Sequence, residues 1–318
     1  MDRAVNGRGS SWTEDPAYPA FVTVGCANFA TVPFDLPATL AKMEAVIRDA
    51  HRQGCQLVAF PEHAVNSSGR SDDPDVQARI DRWHLDEAEL VPGPSTEFVA
   101  RLAAELDIYV VFGMAERDPD HAERIYNAAA IVGPEGILGT YRKLHLGHPS
   151  ETVRFTPGDE LPVWQTKLGP IGVLICYDFW SNPELSRVLA LKGARLIVNP
   201  TASAGGPGKA EYNINTTIVR AHENLIYAMS ANNVGDGGDG RGGGNSVIAG
   251  PAFPRFRHVL AQAGTEEELV VATLNFHQLG RWHDLFPWRT WRLDPERQLH
   301  VTRLVGQELL ALADDTSQ

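Results

Sequence analysis

The feature that most constrains this chain is the alternation of short, β-branched apolar runs with longer stretches whose apolar residues recur at helical spacing. FVTVGCANF, QLVAF, IYVVFGMAE, IGVLICY, ARLIVNP and LIYAMSANN read as strands, and IYNAAAIVGPEGILGTYRKL as two more joined by a Pro-Glu-Gly turn. ATLAKMEAVIRDAHRQG, TEFVARLAAELD, PELSRVLALKG and AEYNINTTIVRAHEN read as helices, with Gly54 and Gly193 closing two of them. Such alternation calls for an α/β architecture in which helices cover sheets. By itself it does not separate a doubly wound sheet from stacked sheets.

A chain of 318 residues with 43% hydrophobic content can bury one large core. Residues 1–19 are rich in Gly, Ser, Asp and Pro without periodicity and read as a flexible lead-in, residues 20–280 as the folded domain, and 281–318 as a C-terminal extension. From about residue 276, RWHDLFPWRTWRLDPERQ reads as an extended tail packing its aromatics on the body or on a neighbouring subunit. The tract VGDGGDGRGGGNS holds seven glycines in thirteen residues, and its centre, 235–244, reads as a surface connector more readily than as a lid. It lacks the GK[ST] ending of a phosphate loop.

The formal net charge of -12 and pI near 5.4 oppose phosphate backbones, and no basic stripe overrides that field, so nucleic acid is not an expected partner. No run approaches the roughly 18 apolar residues of a membrane span, and the N-terminal residues lack a signal-peptide core; the expected location is cytoplasmic. Three cysteines, Cys26, Cys55 and Cys176, read as free thiols in a reducing compartment. Eleven histidines show neither HExxH nor a Cys/His ligand set, so no metal and no cofactor are expected.

Cys176 stands where the apolar run GVLIC gives way to polar residues, the edge of a sheet at which ligands bind. Glu62 follows QLVAF and Lys143 follows ILGTY in the same manner. Each residue alone has an ordinary reading: a buried cysteine is a small hydrophobe, and surface carboxylates and ammoniums are common.

Together the three contexts carry a resemblance. VAFPEH around Glu62, IYNAAAIVGPEGILGTYRKLHL leading to Lys143, and GVLICYDFWSNPELSRVLALKGARLIVNPTA around Cys176 resemble, in order and wide spacing, the motifs of the nitrilase-related carbon-nitrogen hydrolase superfamily. VRAHENLIYAMSANNVG is similar to the family's helix and strand beyond the nucleophile, so the resemblance covers about residues 20 to 280. It implies a four-layer α-β-β-α sandwich, commonly assembled as a homodimer or larger homo-oligomer.

The resemblance also implies roles. Cys176 is the nucleophile and Glu62 its general base, because a neutral thiol needs a carboxylate to take its proton. Lys143, with the backbone N–H of Tyr177, stabilises the oxyanion. Glu151, a short distance after the lysine and followed by FTPG, occupies the place of a second glutamate that positions substrate or water. Asp178 and Glu184 are expected to brace the strand-to-helix turn through Arg187 or backbone donors. Tyr177, Phe179, Trp180, His148 and Thr201 are the expected lining of the substrate pocket, and Cys26 and Cys55 are core packing.

The spacing from Cys176 to Pro183 and Glu184 is one residue longer than the family pattern, which bears on pocket shape. Cys-Tyr-Asp in place of Cys-Trp-Glu resembles the amidase-like branches and favours a small-molecule amide, with nitriles and N-carbamoyl compounds as alternatives and a silent binder as the remote one. Phe179 and Trp180 stand where carbamoyl hydrolases place arginines, which points to a neutral or aromatic substrate.

Overall fold

The computed structural model describes residues 17–66, 73–203, 205–235, 242–255, 258–285 and 295–315. The apolar runs form central strands because both of their faces are covered. Along β2 (Leu57–Ala59), β3 (Tyr109–Arg117) and β4 (Ile125–Gly133) successive side chains point to opposite sides. Leu57, Ala59, Tyr109, Val111, Ala129 and Ile131 enter one buried cluster. Val58, Val110, Phe112, Ala128, Ala130 and Val132 enter another, against Met43 and Ile47 of α1 (Leu36–Arg52) and Val99 and Leu102 of α3 (Pro94–Leu106).

With β1 (Phe21–Asn28), β5 (Gly136–Arg142) and β14 (Glu268–Asn275), these strands make a six-stranded sheet in the order β14-β1-β2-β3-β4-β5. β1, β2 and β3 are mutually parallel, with Val24 beside Leu57 and Leu57 beside Tyr109. The second six-stranded sheet contains β6 (Val163–Thr166), β7 (Gly169–Val173), β8 (Leu196–Thr201), β9 (Tyr227–Asn232), β12 (Val247–Ala249) and β13 (Val259–Gln262). Its order is β13-β12-β9-β8-β7-β6, and its centre is again parallel, with Ile171, Leu196 and Tyr227 in register. Val24 and Cys26 of the first sheet share their cluster with Val173, Ile197 and Met229 of the second, and with residues of α6 (Pro183–Leu191) and α7 (Lys209–Asn224). The layers are therefore helix, sheet, sheet, helix, the α-β-β-α sandwich.

Helix ends follow local chemistry. Asp35 Oδ1 accepts the Ala38 N–H at 2.9 Å and Pro37 sits in the first turn of α1, while Gly54 takes the positive φ of 79° just past its end. Gly193 does the same after α6 with φ 106°.

Three segments differ from the expectation. IGVLICY is not one strand: β7 stops at Val173, and Cys176 leads into the short helix α5 (Tyr177–Ser181). α2 (Pro74–Asp86), capped by Asp73, was not anticipated. The described parts of the C-terminal stretch are helical rather than extended, forming α8 (Phe276–Leu285) and α9 (Pro295–Asp315). Trp282 of α8 is buried in the intersheet cluster, edge-on to Phe253 at 5.3 Å, whereas Trp288 and Trp291 lie outside the described residues. The lead-in up to residue 16 and positions 236–241 of the glycine tract also lie outside them. The flanks of that tract, β10 (Val234–Gly235) and β11 (Gly242–Gly243), pair as a small ribbon. Among the described residues no helix is long and apolar enough to cross a membrane.

Candidate active site

Glu62 reaches its place through a tight passage. β2 ends at Ala59, the Phe60 N–H donates to Val111 O at 2.8 Å, and the Gly113 N–H donates to Pro61 O at 3.0 Å. A side chain at Gly113 would meet His63 N at 2.3 Å and Glu62 Cα at 2.6 Å, so the glycine lets the Glu62 turn lie directly on β3. Lys143 is fixed where β5 ends: its N–H donates to Asn127 O at 2.8 Å and its carbonyl accepts from Gly158 N, within FTPG, at 2.8 Å. Glu151 lies on the one-turn helix α4 (Pro149–Thr152).

These side chains converge. Lys143 Nζ donates to Glu62 Oε1 at 2.9 Å and to Glu151 Oε1 at 2.7 Å. Asn127 Nδ2 donates to the same two oxygens at 2.7 and 3.2 Å. Glu62 Oε2 accepts from the Ala202 N–H, just past β8, at 3.0 Å, and Glu151 Oε2 accepts from the Gly147 N–H at 2.7 Å. Burial disfavours the Lys143 ammonium, but the charges of Glu62, the Cys176 thiolate form and Glu151 outweigh that loss and hold its pKa above the ordinary lysine value.

Cys176 approaches from the second sheet. Its φ of 48° and ψ of -107° are unusual for a residue with a side chain, and its N–H is held by Pro200 O at 3.0 Å and Asn199 Oδ1 at 2.8 Å. Burial, followed by the negative charge of Glu62, pushes the thiol up to about 12. Lys143 acts in the opposite direction without prevailing. Cys176 therefore rests as a neutral thiol.

Asp178 braces this turn against the lysine loop. Its buried carboxylate accepts from Tyr141 Oη at 2.6 Å, Leu144 N at 2.8 Å and His145 N at 2.9 Å, and meets His145 Nδ1 at 2.8 Å. The backbone donors expected for it are thus found on the stretch after Lys143.

The expected pocket residues divide. Thr201 ends β8 beside Cys176 and is fully buried. Tyr177 is 40% exposed, with its ring against Gly147. His148 spends Nδ1 on capping α4, where it accepts from Ser150 N at 3.1 Å. Phe179 must be corrected: it is fully buried in the intersheet cluster, because the change from strand to helix at Cys176 turns that position inward. Trp180 is 8% exposed, beneath Lys209 Nζ at 4.5 Å from its ring and edge-on to Tyr212. Neither ring offers an open face, and the preference for a neutral or aromatic substrate loses that support.

Behind Glu62, His63 stacks on Phe155 at 5.2 Å and faces His84 at 4.7 Å. Burial, then the charges of Arg154 and Lys143, hold the His63 pKa well below the ordinary value, so it is neutral. Arg154 Nη1 donates to His84 Nδ1 at 2.7 Å and Arg154 Nε lies 2.8 Å from Asp81 Oδ1, tying α2 to the segment that carries Glu151. Glu62, His63 and Glu151 each bring one potential ligand atom within 4.8 Å of the others, and the Lys143 ammonium already bridges the two carboxylates there.

Sequence reasoning missed Asn127 and Gly113. Their only signals are an amide inside the otherwise apolar IYNAAAIVG and a glycine inside IYVVFGMAE.

A carbon-nitrogen hydrolase family model matches residues 23–284. The chain belongs to this family of enzymes. A nitrilase of Pyrococcus abyssi is 36% identical over 74% of this chain and 83% of its own length. An omega-amidase of Bos taurus is 31% identical over 78% and 87%, and an (R)-stereoselective amidase of a Pseudomonas species is 36% identical over 60% and 66%. Among solved structures, a branch 10 member of the nitrilase superfamily from Saccharomyces cerevisiae superposes with a TM-score of 0.74 at 26% identity, covering 87% of this chain and 98% of the other. An amidase from Nesterenkonia shares the fold with a TM-score of 0.65 at 24% identity, over 85% and 96%.

Proposed function

We propose that this protein is a thiol amidase that hydrolyses a small amide through a thioester on Cys176. The observation that carries the reading is the bonded set of Glu62, Lys143 and Glu151 beside a neutral thiol on a strained turn. A thiol pushed up to about 12 is a poor nucleophile at neutral pH and needs a base at the moment of attack. Glu62 takes the thiol proton as sulfur bonds to the amide carbon. The oxyanion is stabilised by Lys143 Nζ and by the N–H of Tyr177, which opens α5 and has no intrahelical partner.

Protonated Glu62 then returns its proton to the nitrogen as the C–N bond breaks, releasing ammonia or an amine. A water deprotonated by Glu62 adds to the thioester, and the sulfur departs as the thiol once that proton is passed back. Glu151 and Asn127 hold Lys143 and Glu62 in this geometry. The chemistry as drawn uses neither metal nor cofactor, and small-molecule binding in a cytoplasmic homo-oligomer remains part of the proposal.

The omega-amidase and stereoselective amidase relatives support an amide substrate. The relative described as a nitrilase keeps nitrile hydrolysis as a second reading. Ammonia release from primary amides, nitriles and N-carbamoyl compounds, with Cys176→Ala in parallel, separates them. Turnover of amides that vanishes in the variant is expected; turnover confined to nitriles or carbamoyl compounds, or undiminished in Cys176→Ala, overturns the reading.

A further inference from the structure

We infer that the Thr201 hydroxyl is a dedicated hydrogen-bond donor to the Cys176 thiolate, rather than a surface of the substrate pocket. The inference rests on Cys176 being the nucleophile and adds a residue to that site.

Thr201 ends β8 between two residues whose backbones each hold one half of the centre. The residue before it, Pro200, holds the Cys176 N–H at 3.0 Å, and the residue after it, Ala202, donates to Glu62 Oε2 at 3.0 Å. Its side chain is fully buried, yet among the described residues Oγ1 has no hydrogen-bond partner, the Cys176 sulfur included. Buried hydroxyls are ordinarily satisfied, often by a nearby backbone carbonyl, so a donor left over beside the nucleophile calls for an explanation.

The explanation is the charge state of the sulfur. A neutral thiol is a weak acceptor, whereas a thiolate is a strong one. The hydrogen bond from Thr201 favours the charged form of Cys176, as the Lys143 charge also does, and opposes burial and the two carboxylates. The donor is thus idle in the resting enzyme and engaged whenever sulfur carries charge, both as the thiol proton leaves and as the thioester breaks.

The test needs no substrate. The rate of Cys176 alkylation by iodoacetamide is followed against pH for the full-length wild type, Thr201→Val, Thr201→Ala and Thr201→Ser, with Cys176→Ala to identify labelling of other thiols. Losing a hydrogen bond to a charged group corresponds to about a tenfold smaller thiolate population. Thr201→Val and Thr201→Ala are expected to alkylate Cys176 about tenfold more slowly at neutral pH, with profiles displaced upward by about one pH unit. Thr201→Ser is expected to restore the wild-type profile. Alanine keeps the test available if valine disturbs folding, and circular dichroism and melting temperature identify that case. Wild-type alkylation profiles in folded Thr201→Val or Thr201→Ala, or failure of serine to restore the profile, overturn the inference. Because the readout is displacement of iodide by sulfur and not hydrolysis of an amide bond, a wrong substrate class leaves this result standing, and the substrate panel leaves it untouched.

Discussion

Gly113→Ala isolates the geometric demand on Glu62. The added methyl would meet His63 N at 2.3 Å, Glu62 Cα at 2.6 Å and Pro61 O at 2.6 Å, all backbone atoms that no rotamer change can move aside. Ordinary contact begins near 3.4 Å, so the Glu62 turn must retreat by 3.4 − 2.3, about 1 Å. A displacement of that size at a reacting group costs on the order of 100-fold in rate, whereas overpacking costs about 1–3 kcal/mol of stability. Gly133→Ala is the matched control. Its methyl would meet the Tyr109 ring at 2.4 Å, an equally tight contact made with a side chain remote from the Glu62 turn. Ammonia release and thermal unfolding are measured for both variants. Comparable melting losses are expected, of a few degrees, with the large fall in kcat confined to Gly113→Ala. Wild-type kcat in a folded Gly113→Ala protein, or equal kcat losses in the two variants, refutes the argument.

Two further substitutions probe the charges. Asp178→Asn turns an amide toward Tyr141, Leu144 and His145, which now donate to the carboxylate, so urea unfolding should show a loss of about 2–4 kcal/mol together with reduced turnover; unchanged stability contradicts its bracing role. Lys143→Met leaves Glu62 and Glu151 facing each other without their shared cation and should abolish turnover. One carboxyl pKa must then rise in the folded state. The variant is therefore least destabilised below the normal carboxylate range and loses stability as pH rises through it, in melts at acid and neutral pH. A deficit independent of pH would argue against the shared ion pair.

Much of this arrangement was legible in the sequence because it lies at strand ends. Glu62, Lys143 and Cys176 each follow an apolar run, and the run itself announces the strand. Glu151 was reached only through the resemblance, because a single turn such as Pro149–Thr152 has no periodicity to read. Asn127 was illegible for a different reason: on a strand buried on both faces, one polar residue looks like noise until its neighbours across the sheet are known. Phe179 entered the expected pocket only through the resemblance, as a position where carbamoyl hydrolases carry arginines, and no run in the sequence shows that the backbone turns into α5 at Cys176 and sends that side chain into the core. α2 and the C-terminal helices went unread because their apolar residues are sparse and interrupted by charges.

Glu62, Asn127 and Lys143 belong to the first sheet and its loops, while Cys176, Thr201 and Ala202 belong to the second. The intersheet interface is thus also the alignment mechanism of the proposed chemistry. A slip of one sheet over the other too small to expose the core would still separate proton acceptor from sulfur. Turnover should therefore fail earlier on heating than any spectroscopic sign of unfolding, making activity the most sensitive gauge of how the two halves of this molecule are seated.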